Sequence, residues 1–343
     1  MMINMRTKVK TLILGSGAGG LGAACWLKEK GDDFMVVDGC SELPLNLHNG
    51  VHYLHTIPEL PFKSDINKIT LTDAILNDGK MYDKPSLKFA LQYSEKTGES
   101  QRPSSIMAVG KDDTAYMPSS NSLNTMLKEM YDFAGHENFE FGWWLVGLFP
   151  DRNIAQFKHE TLGIKEVVYE EIISTVPLDI IRKSIIGVDI KLLNDLKLEC
   201  NSIFVANYKV DKIVPNWMIN VYIPDFRTPI YRASFLNGIC SVESIKELTD
   251  HDIHGIADFL NMFHINLDGV EKYNWKTGKV ISISIQEREK LVDRLKEMNI
   301  YQIGRFGLWN RKLLIDSTIN QAKAVVEHLH GAGWEIIRNK LIK

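Results

Sequence analysis

Glycines at 15, 17 and 20, followed by a carboxylate at Asp38, point most directly to chemistry in this sequence. The run Gly15-Ser16-Gly17-Ala18-Gly19-Gly20 is a GxGxxG turn, and Asp38 follows eighteen residues after Gly20. Gly15 permits a tight turn, and Gly17 lets backbone approach a pyrophosphate. Gly20, with Gly22 and Ala23, lets a following helix lie close to a sheet. The free N–H groups and the dipole at the start of that helix favour phosphate charge. Asp38 can accept hydrogen bonds from ribose hydroxyls, and its charge repels a 2′-phosphate. The chemistry these residues frame is dinucleotide binding.

That role requires the glycines to leave a strand and enter a helix. Thr11 to Leu14 is an apolar strand candidate, Ala18 to Lys30 is helix-like, and Gly31 is its left-handed stop. A second strand, Phe34 to Val37, delivers Asp38. The whole strand–turn–helix–strand context is therefore present in 38 residues.

The remaining chain supplies elements around that unit. Residues 59 to 118 show no clear periodicity and read as an inserted, partly helical segment, with Lys96 to Ser105 as exposed loop. A capped helix is expected from Ser119 to Phe133, with Leu123, Met126, Leu127 and Met130 on one face. Strands are expected at Phe141 to Phe149, Ile154 to His159, Glu166 to Tyr169 and Glu170 to Leu178, the last stopped by Pro177. Further strands are expected at Ser202 to Val210, Trp217 to Ile223 and Ile230 to Phe235. Helices are expected at Ser244 to Phe263 and Gln286 to Met298. The unit Tyr301 to Asn310 precedes a helix capped by Asp316-Ser317-Thr318.

Composition narrows the function classes. The chain has 343 residues, 45 % hydrophobic and 24 % charged, which is ample for two globular domains. A net charge of −3 gives no general signature for nucleic acid, which would need a local basic patch. Cys25, Cys40, Cys200 and Cys240 are far apart, with no metal spacing, so a reduced, cytoplasmic setting is expected. No apolar run reaches membrane-spanning length, and the first strand begins too early for a signal peptide. His48, His52 and His55 have suggestive spacing. Gly50 interrupts any helix that would align them and no carboxylate or cysteine completes a set, so no metal is expected.

Four stretches together resemble the FAD-dependent amine oxidase-like flavoproteins, the group of protoporphyrinogen oxidase and UDP-galactopyranose mutase. They are Gly15 to Gly20 with Asp38, Asn49-Gly50-Val51-His52, Ile172 to Leu178, and Gly304-Arg305-Phe306-Gly307 leading to Asp316-Ser317-Thr318. The tract from Tyr222 to Arg232 also looks like the group's substrate-domain strand. The resemblance implies FAD, with Gly15, Ser16, Gly17, Gly20 and Asp38 on its ADP half and backbone at Leu148 or Val146 on the adenine. It implies that Gly304, Arg305, Asp316, Ser317 and Thr318 lie along the pyrophosphate and isoalloxazine. Tyr231, Arg232 and Trp309 would face the substrate, with His52, Arg232 and Trp309 as the catalytic candidates. Arg232, on an alternating strand, would share a face with Ile230 and Ser234, opposite Tyr231 and Ala233. It would point either to solvent or to an anion. The chain departs from the group in having Asp at 38 instead of Glu, and Leu43-Pro44-Leu45-Asn46 instead of a Gly-Gly segment.

The expected fold class is α/β: a Rossmann-type FAD-binding domain with a smaller, trimmed α+β substrate domain. The FAD-binding domain would be discontinuous (1–58, 119–180 and 300–343), and 59–118 with 181–299 would form the cap. The leading activity is hydride transfer to flavin from a C–H bond next to nitrogen, which needs a dry, oriented pocket more than an acid–base pair. A redox-neutral flavoenzyme is the alternative. It would be a nucleotide-sugar mutase, or a lyase acting on an amino acid attached to a modified DNA pyrimidine of a virus. A non-catalytic nucleotide-binding protein is the third reading. The expected partner is a small-molecule or nucleotide-linked substrate, and nothing in the sequence sets an oligomeric state.

Overall fold

Thr11–Leu14 is buried at all four positions, the pattern of a strand covered on both faces. It lies at the middle of a parallel sheet in the computed structural model, which describes residues 5–45, 52–98, 104–107, 109–110, 113–120, 122–210, 217–236, 238–249, 251–252 and 265–342. Strands are β1 Met5–Lys8, β2 Thr11–Leu14, β3 Phe34–Val37, β4 Ile66–Asn77, β5 Lys80–Tyr82, β6 Asp113–Pro118, β7 Phe139–Glu140, β8 Trp143–Phe149 and β9 Ile154–His159. They continue as β10 Gly163–Val168, β11 Glu171–Ser174, β12 Cys200–Val210, β13 Trp217–Tyr222, β14 Ile230–Leu236, β15 Ile239–Ser244, β16 Ile265–Val280 and β17 Ile300–Gln302. The helices used below are α1 Ala18–Lys30, α2 Leu87–Thr97, α3 Ser104–Met107, α4 Leu123–Ala134, α5 Leu178–Ser184, α6 Lys191–Asn194, α7 Ile285–Lys296, α8 Gly304–Gly307, α9 Ile315–Leu329 and α10 Trp334–Ile342.

The five-stranded parallel sheet has the order β17-β11-β2-β3-β7, so three well-separated parts of the chain meet at its centre. Its two faces are buried differently. Ile13, Val36 and Ile173 pack with Leu21, Leu127 and Val325 from α1, α4 and α9. Leu12, Leu14 and Ile172 pack with Phe157 and Val167 of a four-stranded sheet, β1-β10-β9-β8, and with Leu291 of α7. This three-layer arrangement is the Rossmann-type α/β fold expected from the sequence. β2, α1 and β3 have the predicted boundaries, and Gly31 ends α1 at φ +72°.

The second sheet is larger than the sequence suggested. Eight strands run β16-β12-β15-β14-β13-β4-β5, with β6 paired to β4. Residues 59–118, expected to be partly helical, contribute α2 and α3 and also three strands, β4, β5 and β6. The proposed loop at Lys96 is also corrected: Lys96 lies in the last turn of α2, is buried, and its Nζ donates to the carbonyls of Ile223, Asp225 and Ile230. Three ammonium N–H groups thus meet three carbonyls and fix the turn between β13 and β14. Ser244 ends β15 instead of opening a helix, and 253–264 lie outside the described residues. Among the described residues no helix is long and apolar enough to cross a membrane, and no cluster of His, Cys, Asp and Glu could hold a metal.

Candidate functional site

The glycines divide their tasks differently from the simple fingerprint. Gly15 turns at φ +92°, and a Cβ there would lie 2.4 Å from Thr175 Oγ1. Gly20 closes the same turn, since a Cβ on it would lie 1.9 Å from the Gly15 carbonyl oxygen. Gly22 does not face the sheet; its added Cβ would meet Ala322 and Ile319 of α9. Gly19 faces Thr318, Thr175 and Ile303, with the nearest atom at 2.7 Å. Among Gly15, Gly17, Gly19, Gly20 and Gly22, only Gly17, at the start of α1, has no protein atom within 4 Å of an added Cβ.

These contacts set α1 and α9 parallel and side by side, because Gly19 meets Thr318 while Gly22 meets Ala322. Two helix N-termini therefore open toward the same place, and both dipoles favour negative charge there. Gly304, at φ +79°, brings the turn after β17 against Thr318 and donates its N–H to Gln321 Oε1 at 2.9 Å. Asp38 stands at the end of β3, and its Oδ2 accepts from the Ser16 N–H (2.6 Å) and hydroxyl (2.7 Å). Its Oδ1 accepts from the Cys40 N–H at 2.8 Å.

Several assigned residues have other work. Asp316 is buried, and its Oδ2 accepts from the N–H (2.7 Å) and hydroxyl (2.8 Å) of Thr56. It ties the segment after His52 to the start of α9. The Ser317 hydroxyl bonds with Leu314 and caps that helix. Leu148 is fully buried, and its carbonyl accepts from Ile186 N–H at 2.8 Å. Its neighbour Val146, left unpaired by a bulge between Leu145 and Gly147, is the open position on β8. Trp309 does not face a substrate. It sits in the core at φ +46°, with its indole N–H donated to the Glu199 carbonyl at 3.0 Å.

A second group forms where the eight-stranded sheet meets the turn after β17. A bulge at Tyr231 breaks the alternation expected on β14, so Arg232 pairs opposite Glu243 of β15. Tyr231 and Arg232 consequently reach one carboxylate. The Tyr231 hydroxyl donates to Glu243 Oε2, and Arg232 Nε donates to Oε1 at 2.9 Å. Arg232 is thus aimed at an anion of its own chain. Tyr231 is wholly buried beside Tyr93 and Tyr222, with the Lys279 ammonium 3.8 Å from its ring centroid. Glu243, which no sequence signal singled out, is the hub of this cluster.

Charge in the cluster is strongly coupled. Burial raises the Glu243 carboxyl, but Arg232 and Lys279 outweigh it and hold the group down at about 2. Arg305 is partly buried, and its Nε donates to the Leu313 carbonyl at 3.0 Å. Burial, with Arg311 and Arg232 nearby, lowers its pKa to about 10. His52 feels Glu243, Arg232 and Arg305 together, and burial lowers its pKa to about 4. His48 lies outside the described residues.

The His52 shift gives a pH prediction. A histidine at 6.5 when unfolded and about 4 when folded binds fewer protons in the native state between those values. Its contribution to stability is complete above pH 6.5 and is lost as pH falls toward 4. NMR titration should show the His52 ring neutral at pH 6, with a midpoint near 4; a midpoint at or above 6.5 contradicts the placement.

No protein-family model and no curated protein matches the sequence. Solved structures do match. A reduced UDP-galactopyranose mutase aligns over 95 % of this chain and 94 % of its own, with TM-score 0.70 and 18 % identity. A CLA-producing fatty acid isomerase from P. acnes aligns over 93 % and 98 %, with TM-score 0.62 and 13 % identity. A redesigned putrescine oxidase aligns over 95 % and 99 %, with TM-score 0.62 and 9 % identity. The chain has the fold of the FAD-dependent amine oxidase-like flavoproteins.

Proposed function

We propose that this chain is an FAD-dependent enzyme that oxidises a C–H bond next to nitrogen in a substrate that also carries an anionic group. The observation that carries the cofactor assignment is the parallel pair of helix N-termini beside Gly17, with Asp38 at the end of β3. Gly15, Ser16, Gly17, Gly20 and Asp38 would hold the ADP half, while Gly304, Arg305 and the start of α9 would border the rest. Thr318 and Asp316 act there as packing and tethering residues. The division into an FAD-binding part (1–58, 119–180 and 300–343) and a cap (59–118 and 181–299) belongs to this proposal. One amendment follows from α7, whose Leu291 and Leu295 share the nucleotide-binding core.

Bound FAD would supply the hydride acceptor. The protein's residues supply binding and exclusion of water. Tyr93, Tyr222 and Tyr231 make an apolar wall, and the Glu243 carboxylate neutralises Arg232. Arg305, whose Nε bonds only a backbone carbonyl, leaves positive charge that suits a carboxylate or phosphate. His52, neutral at physiological pH, orients a substrate without adding charge. A redox-neutral mutase or lyase, including one acting on a nucleotide-linked amino acid, is favoured by the same positive surplus. Four cysteines without disulfides support a reducing, cytoplasmic setting.

The purified protein should be yellow and release FAD on acid precipitation. A colourless protein, or recovery of NAD alone, overturns the cofactor assignment. Oxygen-dependent hydrogen peroxide production with an amine supports oxidation. Activity only after dithionite reduction supports the mutase, and carboxylate loss without oxygen supports the lyase.

A further inference from the structure

Trp144 is the most exposed large hydrophobic residue among those described, at 63 % of its surface. Its position is nevertheless fixed. The backbone from Phe139 to Trp143 is laced to the end of β3: Asp38 N–H donates to Glu140 O (3.0 Å), Trp143 N–H to Asp38 O (3.0 Å), and Gly142 N–H to Cys40 O (2.6 Å). One face of the indole lies on Gly39, where an added Cβ would come within 2.8–3.1 Å of three ring carbons. Gly39 therefore has a role that the fingerprint does not explain: it lets a large aromatic ring settle directly beside Asp38. The bulged Val146, 43 % exposed, continues the apolar strip along β8.

We infer that Trp144 is a stacking platform for the adenine ring of a dinucleotide whose ribose lies at Asp38. A rigid indole seated on a glycine backbone loses little side-chain entropy on binding, and a purine face matches it in size and flatness. This rests on the cofactor reading above and adds to it a recognition residue that belongs to this chain's own sequence.

The test uses the full chain freed of bound nucleotide, titrated with FAD and, separately, with ADP. Trp144→Ala should weaken both by the same factor, roughly 10- to 100-fold, the range for one base–aromatic stack. The melting temperature without ligand should stay at the wild-type value, because the side chain is exposed. Trp144→Phe should keep most of the affinity while losing the tryptophan fluorescence quenching that ADP causes in the wild type. Unchanged affinity of Trp144→Ala for both ligands overturns the inference, as does a loss for FAD without one for ADP. A wild-type chain that binds neither overturns the cofactor reading itself.

Discussion

Glu243→Ala is expected to cost about 3–5 kcal/mol of stability, the usual loss when one partner of a buried ion pair is removed. The substitution leaves the Arg232 guanidinium without its carboxylate and the Tyr231 hydroxyl without its acceptor. It also leaves Arg305 and Lys279 close to an uncompensated Arg232. The double variant Arg232→Met with Glu243→Leu should recover most of the loss, because a well-packed apolar pair replaces the charges. Urea unfolding of both variants checks this; a single variant as stable as wild type would show that the pair contributes nothing. The pH dependence has the same origin. Glu243 at about 2, against 4.5 when unfolded, contributes stability above pH 4.5 that is lost as pH falls toward 2.

Gly17→Val should abolish FAD binding while leaving the fold intact. An added Cβ has no protein atom within 4 Å, and φ −68° is open to any residue, so the steric cost is expected to fall on a pyrophosphate at the start of α1. A loss of about 4 kcal/mol, or a thousandfold in affinity, is expected. Gly20→Ala makes the contrasting case. Its Cβ would collide with the Gly15 carbonyl, so the unliganded chain itself should lose stability. Flavin content and unfolding of the ligand-free chains separate the two effects. Full FAD content in purified Gly17→Val would place the pyrophosphate elsewhere.

The strand–turn–helix–strand unit was legible because its signals are local. Apolar runs, a glycine turn and a terminal carboxylate specify β2, α1, β3 and Asp38 within one short stretch. The large sheet was harder to read for a physical reason. β4 alternates Asn67, Lys68, Thr70 and Asp73 with apolar residues, and β16 carries Gly269, Gly278 and several charges. Such segments become strands through their partners, β13 for one and β12 for the other. Glu243 was invisible for a related reason: the pairing that gives it meaning depends on a bulge at Tyr231, which no spacing rule reveals. Trp309 was placed at the substrate by resemblance alone, with no local signal for its backbone conformation. Its left-handed backbone turns the indole inward to Glu199 instead. His52 and Arg305 lie close enough for one charge to act on the other, although nothing in their sequence separation requires it.

The parallel contact of α1 with α9 has a consequence for how this chain folds. Gly19 and Thr318 come from opposite ends of the sequence, and the central sheet likewise joins Thr11–Leu14 to Glu171–Ser174 and then to Ile300–Gln302. Closing loops of that size precedes the reward of the contacts, which slows folding. During synthesis α1 emerges with its glycine face uncovered and waits for every residue between it and α9 before that helix arrives. A nascent chain therefore cannot complete the cradle, and nucleotide capture becomes a late event that follows release of α9 from the ribosome. Strands β4 to β6 can pair among themselves in the interval, so assembly would proceed from the eight-stranded sheet inward.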